Sequence, residues 1–349
     1  MHRRGAVWHP LLACGLPRSL GIVAENLDVE HGTPLCLSRV GKAEECSEAA
    51  SRLRRFPQQP LSGIAEPISY RDRIAECNNA DLRTFVRWRV GEQTAGFVRR
   101  DRVWRLAVDG SPFAVDGDGF RLTGDSPFAR SKNLSDWLVG LQRDGEIALR
   151  DEIYPVAANF GDEPLLQVDR GAVPWLGVRP FGVHLCGYVR NEASLSVWVA
   201  VRAKGKTYAG LWDNTVAGGQ PVGLSLRENL IKECGEEASM PAALADRAVA
   251  TSTLRYVRAD ETGLKPDTLF CYDLELPADF VPEPRDGEVE RFLLVPVEEL
   301  MQVVADEPRC KPNCSLVWID FLLRHGVLDD TVDAREREAL ALAVRVALP

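Results

Sequence analysis

Glu233, Glu236 and Glu237 crowd into one short segment, just after a loop that contains Gly218, Gly219 and Gly223. A helix across 224–238 would place the three glutamates at i, i+3 and i+4, on one face roughly 100° wide. Leu226, Leu230, Ile231, Cys234 and Ala238 take the adjoining arc, so the helix can dock on a core and run its carboxylates along the edge of a cleft. Like charges crowded together are costly unless a cation neutralises them. Hard oxygen ligands select Mg2+, with Mn2+ as the alternative, and such ions share their remaining positions with water and substrate phosphates. The glycines permit a tight turn with accessible amides, and a helix N-terminus favours anionic oxygen. The chemistry implied is a divalent metal held against a diphosphate. A solvated acidic face on a surface helix is the competing reading of a bare Glu-x-x-Glu-Glu.

Gly218, five residues, position 224, seven residues and then Lys232-Glu233-Cys234-x-Glu236-Glu237-x-Ser239-Met240 resembles the Nudix box. Three positions depart from it: Leu224 stands where glutamate is usual, Lys232 where arginine is usual, and Ser239 where glycine is usual. Lys232 keeps a charge that can orient a neighbouring glutamate, without arginine's planar fork. Trp212-Asp213-Asn214-Thr215-Val216-Ala217-Gly218-Gly219 and Lys232-Glu233-Cys234-x-Glu236-Glu237-Ala238 resemble the thiamine-pyrophosphokinase-related Nudix hydrolases. The similarity continues through Phe181-Gly182-Val183-His184, Tyr272 to Pro277, Asp286-Gly287-Glu288-Val289-Glu290 and Lys311-Pro312-Asn313-Cys314, and reaches upstream to about Ile68.

The resemblance implies an α/β protein, a Nudix α/β/α sandwich preceded by a small α+β accessory domain. It implies Mg-dependent hydrolysis of thiamine diphosphate-like compounds, with damaged oxy and oxo forms among them, to a monophosphate plus phosphate. Glu233, Glu236, Glu237 and Lys232 would be catalytic, the three glutamates and Glu288 would bind metal, and Gly218, Gly219, Trp212 and Lys311 would bind substrate. Glu290 competes with Glu288 for the role of loop carboxylate, and a solvated acidic loop competes with both. Trp212 would stack on a thiazole or pyrimidine ring or simply pack. His184 would contact substrate or serve as a hydrogen-bonded core histidine. Two other readings stay open: a hydrolase of nucleoside diphosphate derivatives such as ADP-ribose or NADH, and a non-catalytic ligand sensor on the same fold.

The chain of 349 residues with 45% hydrophobic content exceeds one typical domain and can bury sizeable cores. A net charge of -9 argues against nonspecific nucleic-acid binding, so the expected partner is a small-molecule diphosphate. No apolar run reaches membrane-spanning length. A cytoplasmic location is expected, and the resemblance allows a homodimer. Nine cysteines, odd in number and scattered, argue against a disulfide framework. Cys310 and Cys314 invite a zinc reading but lack a second ligand pair nearby. Instead Asn313 is expected to cap a helix bearing Leu316, Val317, Ile319, Phe321 and Leu322, which Gly326 ends.

Four segments are expected: 1–65 as a poorly ordered stretch or extension, 66–175 as the accessory domain, 176–330 as the Nudix domain and 331–349 as a C-terminal helix. The Arg-bearing start with Leu11-Leu12-Ala13 hints at a targeting peptide, but acidic residues intervene from Glu25. The accessory part reads as a helix over Tyr70 to Cys77, strands at Thr84 to Val90, Val103 to Val108 and Gly119 to Thr123, and a helix from Asn133 to Gln142. Trp88, Trp104, Phe113 and Trp137 are expected in its core. Pro155, Pro164, Pro174 and Pro180 make 151–181 a connecting region. Strands are then expected at Val183 to Arg190, Leu195 to Ala203, Val249 to Val257, Leu269 to Leu276 and Arg291 to Pro296.

Overall fold

The computed structural model describes residues 69–192 and 194–345. Expectations for 1–65, Cys14, Cys36 and Cys46 included, fall outside the described residues. The first helix, α1 (Tyr70–Cys77), opens on a capping box in which Ser69 and Asp72 satisfy each other's backbone amides. A small mixed sheet follows: β1 (Phe85–Val90), β2 (Gln93–Arg99), β3 (Phe113–Asp116) and β4 (Gly119–Leu122), in the order β2-β1-β4-β3. Gly91, at φ +57°, makes the tight β1–β2 turn. Helix α2 (Pro127–Arg143) lays Leu134, Leu138 and Leu141 over this sheet, against Trp88 and Leu106.

The expected strand at Val103 to Val108 is instead a 3-10 helix, Arg100–Leu106. Leu106 alone in it is buried, and Trp104, expected in the core, is 54% exposed with Arg105 against its ring. A three-residue repeat turns Trp104 outward where a strand would have turned it inward. The connecting region carries a short hairpin, β5 (Ile153–Val156) with β6 (Leu166–Asp169), and one turn of helix, α3 (Val173–Leu176).

The second sheet contains β7 (Phe181–Arg190), β8 (Leu195–Arg202), β9 (Trp212–Asp213), β10 (Val216–Gly219), β11 (Val249–Arg255), β14 (Thr268–Glu275) and β15 (Val289–Pro296). Its main order is β11-β14-β7-β8-β15, with β10 added on β7 and β9 on β8. A separate two-stranded ribbon, β12 (Arg258–Asp260) with β13 (Gly263–Lys265), precedes β14. Strand alternation sends Val197, Val199 and Val201 to one face. There they meet Leu300 and Val303 of α6 (Val297–Asp306) and Leu316 and Ile319 of α7 (Pro312–Arg324). Val183, Leu185 and Val216 point the other way, onto Leu230 and Cys234 of α4 (Leu226–Ala238). Helices on both faces make an α/β/α sandwich.

Helix α1 buries Ile74 and Cys77 in the sandwich core although it precedes the small sheet in sequence. Asn313 does not cap α7: Lys311 is the N-cap and Pro312 takes the first helical position, where its missing N–H costs nothing. Gly326, at φ +69°, follows the last turn as expected. The short α5 (Ala242–Ala245) follows α4, and α8 (Ala334–Ala343) closes the described chain. Cys77, Cys186, Cys234, Cys271, Cys310 and Cys314 are all buried free thiols. Among the described residues no helix is long and apolar enough to cross a membrane.

Candidate active site

Helix α4 is capped by Ser225 just before Leu226, the Ser225 hydroxyl accepting from the amide of Glu228 while the Glu228 carboxylate accepts from the amide of Ser225. That box fixes the helix start two residues beyond the expected position 224. Two side chains stitch α4 to the glycine strand. Asn229 Nδ2 donates to the Gly219 carbonyl at 2.8 Å, and the Ala217 amide donates to Glu237 Oε2 at 3.0 Å. Strand β10 is itself paired with β7 from Val216↔Leu185 to Gly219↔Gly182. The glycines and the glutamates are thus held by one sheet and one helix.

Glu233, Glu236, Glu237 and Glu288 line a cleft of about 200 Å³ together with Gly218, Gly219 and Lys232. Glu152, Asp286 and Arg170 complete its wall, so six carboxylates face two cations. Glu237 is buried, and burial first, then Asp213, Glu233 and Glu288, pushes its carboxyl well above the usual range. Burial also raises Glu233, partly offset by Lys232. Lys232 Nζ donates to Glu233 Oε1 at 3.1 Å and to Glu236 Oε2 at 2.7 Å. Glu288 receives Lys206 at 3.2 Å, and that bond holds it below its ordinary value against the opposing effect of burial. Glu290 pairs with its neighbour Arg291 and does not line the cleft.

An all-oxygen donor set with excess negative charge, in which burial disfavours the ionised form of Glu233 and Glu237, fits a hard divalent cation. Among the described residues only His184, Asp213 and Cys314 bring three potential ligand atoms within 4.8 Å of one another. That trio is already neutralised: Asp213 Oδ2 receives Arg202 at 2.8 Å and Lys311 at 3.1 Å, and Cys314 Sγ donates to Oδ1 at 2.6 Å. Burial alone would raise Asp213, yet Lys311 and Arg202 outweigh it and hold the carboxyl far below the usual range. Burial keeps the Cys314 thiol protonated. The group therefore forms an ionic core under the site, and its two cations oppose a metal there.

Ala217, Gly218 and Gly219 also line a second cleft of about 230 Å³. Tyr154, Phe181, Lys265, Asp267, Lys311 and Asn313 face it. His184 reaches its floor, with Nδ1 2.7 Å from Asn214 Oδ1, and burial followed by Lys311 lowers it to about 4, so it is neutral at pH 7. Asp267 is raised to about 6, chiefly by burial, while its bond from the Tyr256 hydroxyl works in the opposite direction.

The structure thus brings Glu233, Glu236, Glu237, Lys232, Glu288, Gly218 and Gly219 to one cleft and Lys311 to its neighbour. Trp212 lines neither; it is buried in the sandwich core with Arg309 over its ring, because β9 places it on the face toward α7. Glu152, Tyr154 and Arg170 carry no sequence signal. They lie in the proline-rich connection, and only the antiparallel pairing of Ile153 with Asp169 brings Glu152 and Arg170 together. Asp286 is the residue that the Asp-Gly turn preceding Glu288 could have signalled.

Residues 69–180, which contain the small sheet and the hairpin, match the family described as "Domain of unknown function (DUF4743)". Over 272 residues the chain is 39% identical to Nudix hydrolase 20, chloroplastic, of Arabidopsis thaliana, covering 74% of this chain and 73% of that protein. It is 37% identical over 286 residues to Nudix hydrolase 24, chloroplastic, of the same plant, covering 80% and 77%. A solved MutT protein from Methanosarcina mazei is 18% identical, covering 42% of this chain and 95% of that one, with a TM-score of 0.32. A carboxylate-lined cleft on a glycine strand and a glutamate helix, together with identity of this extent to two named hydrolases, shows that the chain belongs to the Nudix hydrolase family.

Proposed function

We propose that the protein hydrolyses the diphosphate of thiamine diphosphate-like compounds, oxidised forms included, to a monophosphate ester and phosphate. The observation that carries this is the shared glycine wall. Residues 217–219 line both a carboxylate cleft suited to a metal-bound diphosphate and a cleft with Tyr154, Phe181 and Asp267 suited to a nitrogenous ring. Absent side chains at Gly218 and Gly219 let Glu233 and Tyr154 close on the strand, so that a metal ligand and an aromatic ring stand beside the same backbone.

Glu233, Glu236, Glu237 and Glu288 would hold magnesium, which when bound neutralises diphosphate oxygens and makes a water more acidic. Glu237 fixes its carboxylate through the Ala217 amide, and so couples the ligand helix to the strand on which the diphosphate lies. Lys232 holds Glu233 and Glu236 in one orientation. Water adds across the phosphoanhydride: its oxygen joins phosphorus, and the bridging oxygen departs with the organic monophosphate.

Turnover measured on thiamine diphosphate, its oxy and oxo derivatives, ADP-ribose, NADH and dNTPs tests the substrate class. A preference for the thiamine compounds is expected. A preference for adenylate compounds sinks the thiamine assignment, and tight binding without turnover of any of them makes the protein a sensor.

A further inference from the structure

The acidic cleft contains two cations, and one of them is committed. Lys232 is bonded to both Glu233 and Glu236. The other, Arg170, is among the described residues the single charged side chain that lines both clefts, as Gly218 and Gly219 also do. Its Nη1 donates to Glu152 Oε2 at 2.7 Å, which fixes one edge of the guanidinium. The side chain keeps 48% of its surface exposed, so further N–H donors of the fork remain open to a ligand.

The element that carries Arg170 is locked to the glycine strand. Tyr154 lies against Gly219 so closely that a β-carbon there would stand 1.5 Å from the phenol oxygen. The Val222 amide donates to the Ile153 carbonyl at 2.9 Å. At the other end of the hairpin, Asp169 accepts from the amides of Arg150, Asp151 and Gly171, so the turn into Arg170 is fixed as well. A guanidinium oriented through one nitrogen by Glu152 and lining both clefts keeps donors for paired bonds to phosphoryl oxygens.

We infer that Arg170 binds the diphosphate, and that the segment of unknown function at 69–180 completes the ligand site by carrying this arginine over the glycine strand. The inference rests on the reading that the acidic cleft takes a diphosphate, and it requires no particular organic group.

Calorimetric titration of the full chain with methylenediphosphonate, a non-cleavable diphosphate, in saturating magnesium tests it. Arg170→Gln should bind at least ~10-fold more weakly than the wild type, and Arg170→Lys should recover part of the loss. Affinity within twofold of wild type in Arg170→Gln overturns the inference, as does a wild type with no measurable affinity. A purely structural role would lower the melting temperature of Arg170→Gln without weakening the affinity of the folded fraction. Should that variant not fold, phenylglyoxal labelling of the wild type decides: the diphosphonate should slow modification of Arg170, and no protection overturns the assignment. Arginine-dependent binding with no thiamine diphosphate turnover would remove the proposed substrate and leave this inference standing.

Discussion

Gly218 and Glu233 are in such close contact that a β-carbon at Gly218 would stand 2.3 Å from both Cγ and Cδ of Glu233. The glycine strand therefore does two things at once. It offers backbone to the clefts, and it leaves the space that a cleft glutamate fills. Gly218→Ala should displace the Glu233 carboxylate and lower kcat by at least ~10-fold, since misplacement of a reacting constellation by about 1 Å can cost two orders of magnitude. A steady-state assay on the best substrate checks this. A kcat within twofold of wild type would mean that the position of Glu233 is immaterial.

Glu237 is the more deeply buried of the two buried carboxylates of the ridge, and its raised proton affinity marks it as costly to ionise without a cation. Glu237→Gln should reduce turnover at least ~100-fold. In metal-free buffer the variant should melt no lower than the wild type, because an amide replaces a buried acid. Magnesium should raise the wild-type melting temperature and raise that of the variant less. Equal magnesium shifts in the two proteins would remove Glu237 from the metal site.

Asp267 holds its proton to about pH 6 in the folded protein against about 3.9 in an unfolded chain. Between those values the native state binds more protons than the unfolded state, so this residue makes stability fall as pH rises. Asp267→Asn lacks that slope. Its stability relative to wild type should improve from pH 4 to pH 6 and then level off. Denaturant melts at pH 4.5, 5.5 and 7 measure the difference, and a difference that does not change with pH refutes the assignment. Comparing the two proteins cancels the opposite slope of His184, whose lowered value of about 4 makes stability fall as pH drops below about 6.5.

Ser239 ends α4 at φ +53°, in the left-handed region where glycine is the usual occupant. A residue with a β-carbon costs about 1–2 kcal/mol there. The Ser239 hydroxyl recovers part of that by donating to the Glu283 carbonyl at 3.0 Å. Ser239→Ala loses the bond and keeps the strain, whereas Ser239→Gly loses both. The glycine variant should be more stable than the alanine variant by about 1 kcal/mol in urea melts. Equal stability would mean the turn relaxes when the hydroxyl is removed.

The sequence alone determined what depends on near neighbours. The spacing of Glu233, Glu236 and Glu237 is a property of a helix, and the structure sets all three on one cleft beside Gly218 and Gly219. The main strands of the sandwich were legible because apolar side chains recur with the period of an extended chain. Trp104 and Val103 to Val108 misled because a short apolar run fits either a strand or a 3-10 turn, and burial decides between them. Of the two readings open for Trp212 the structure shows packing, because adjacency to the glycine strand in sequence does not fix which face of β9 it occupies.

Only the tertiary structure decided which distant residues join the site. Glu152, Tyr154 and Arg170 reach the clefts through the pairing of β5 with β6 and the seating of that hairpin on Gly219. Asp213 is neutralised by Arg202 from β8 and Lys311 from the start of α7. Contacts of this kind depend on packing between elements far apart in the chain, and no local periodicity encodes them. The carboxylate ridge of α4 was thus written in its own sequence, while folding chose which cations stand beside it.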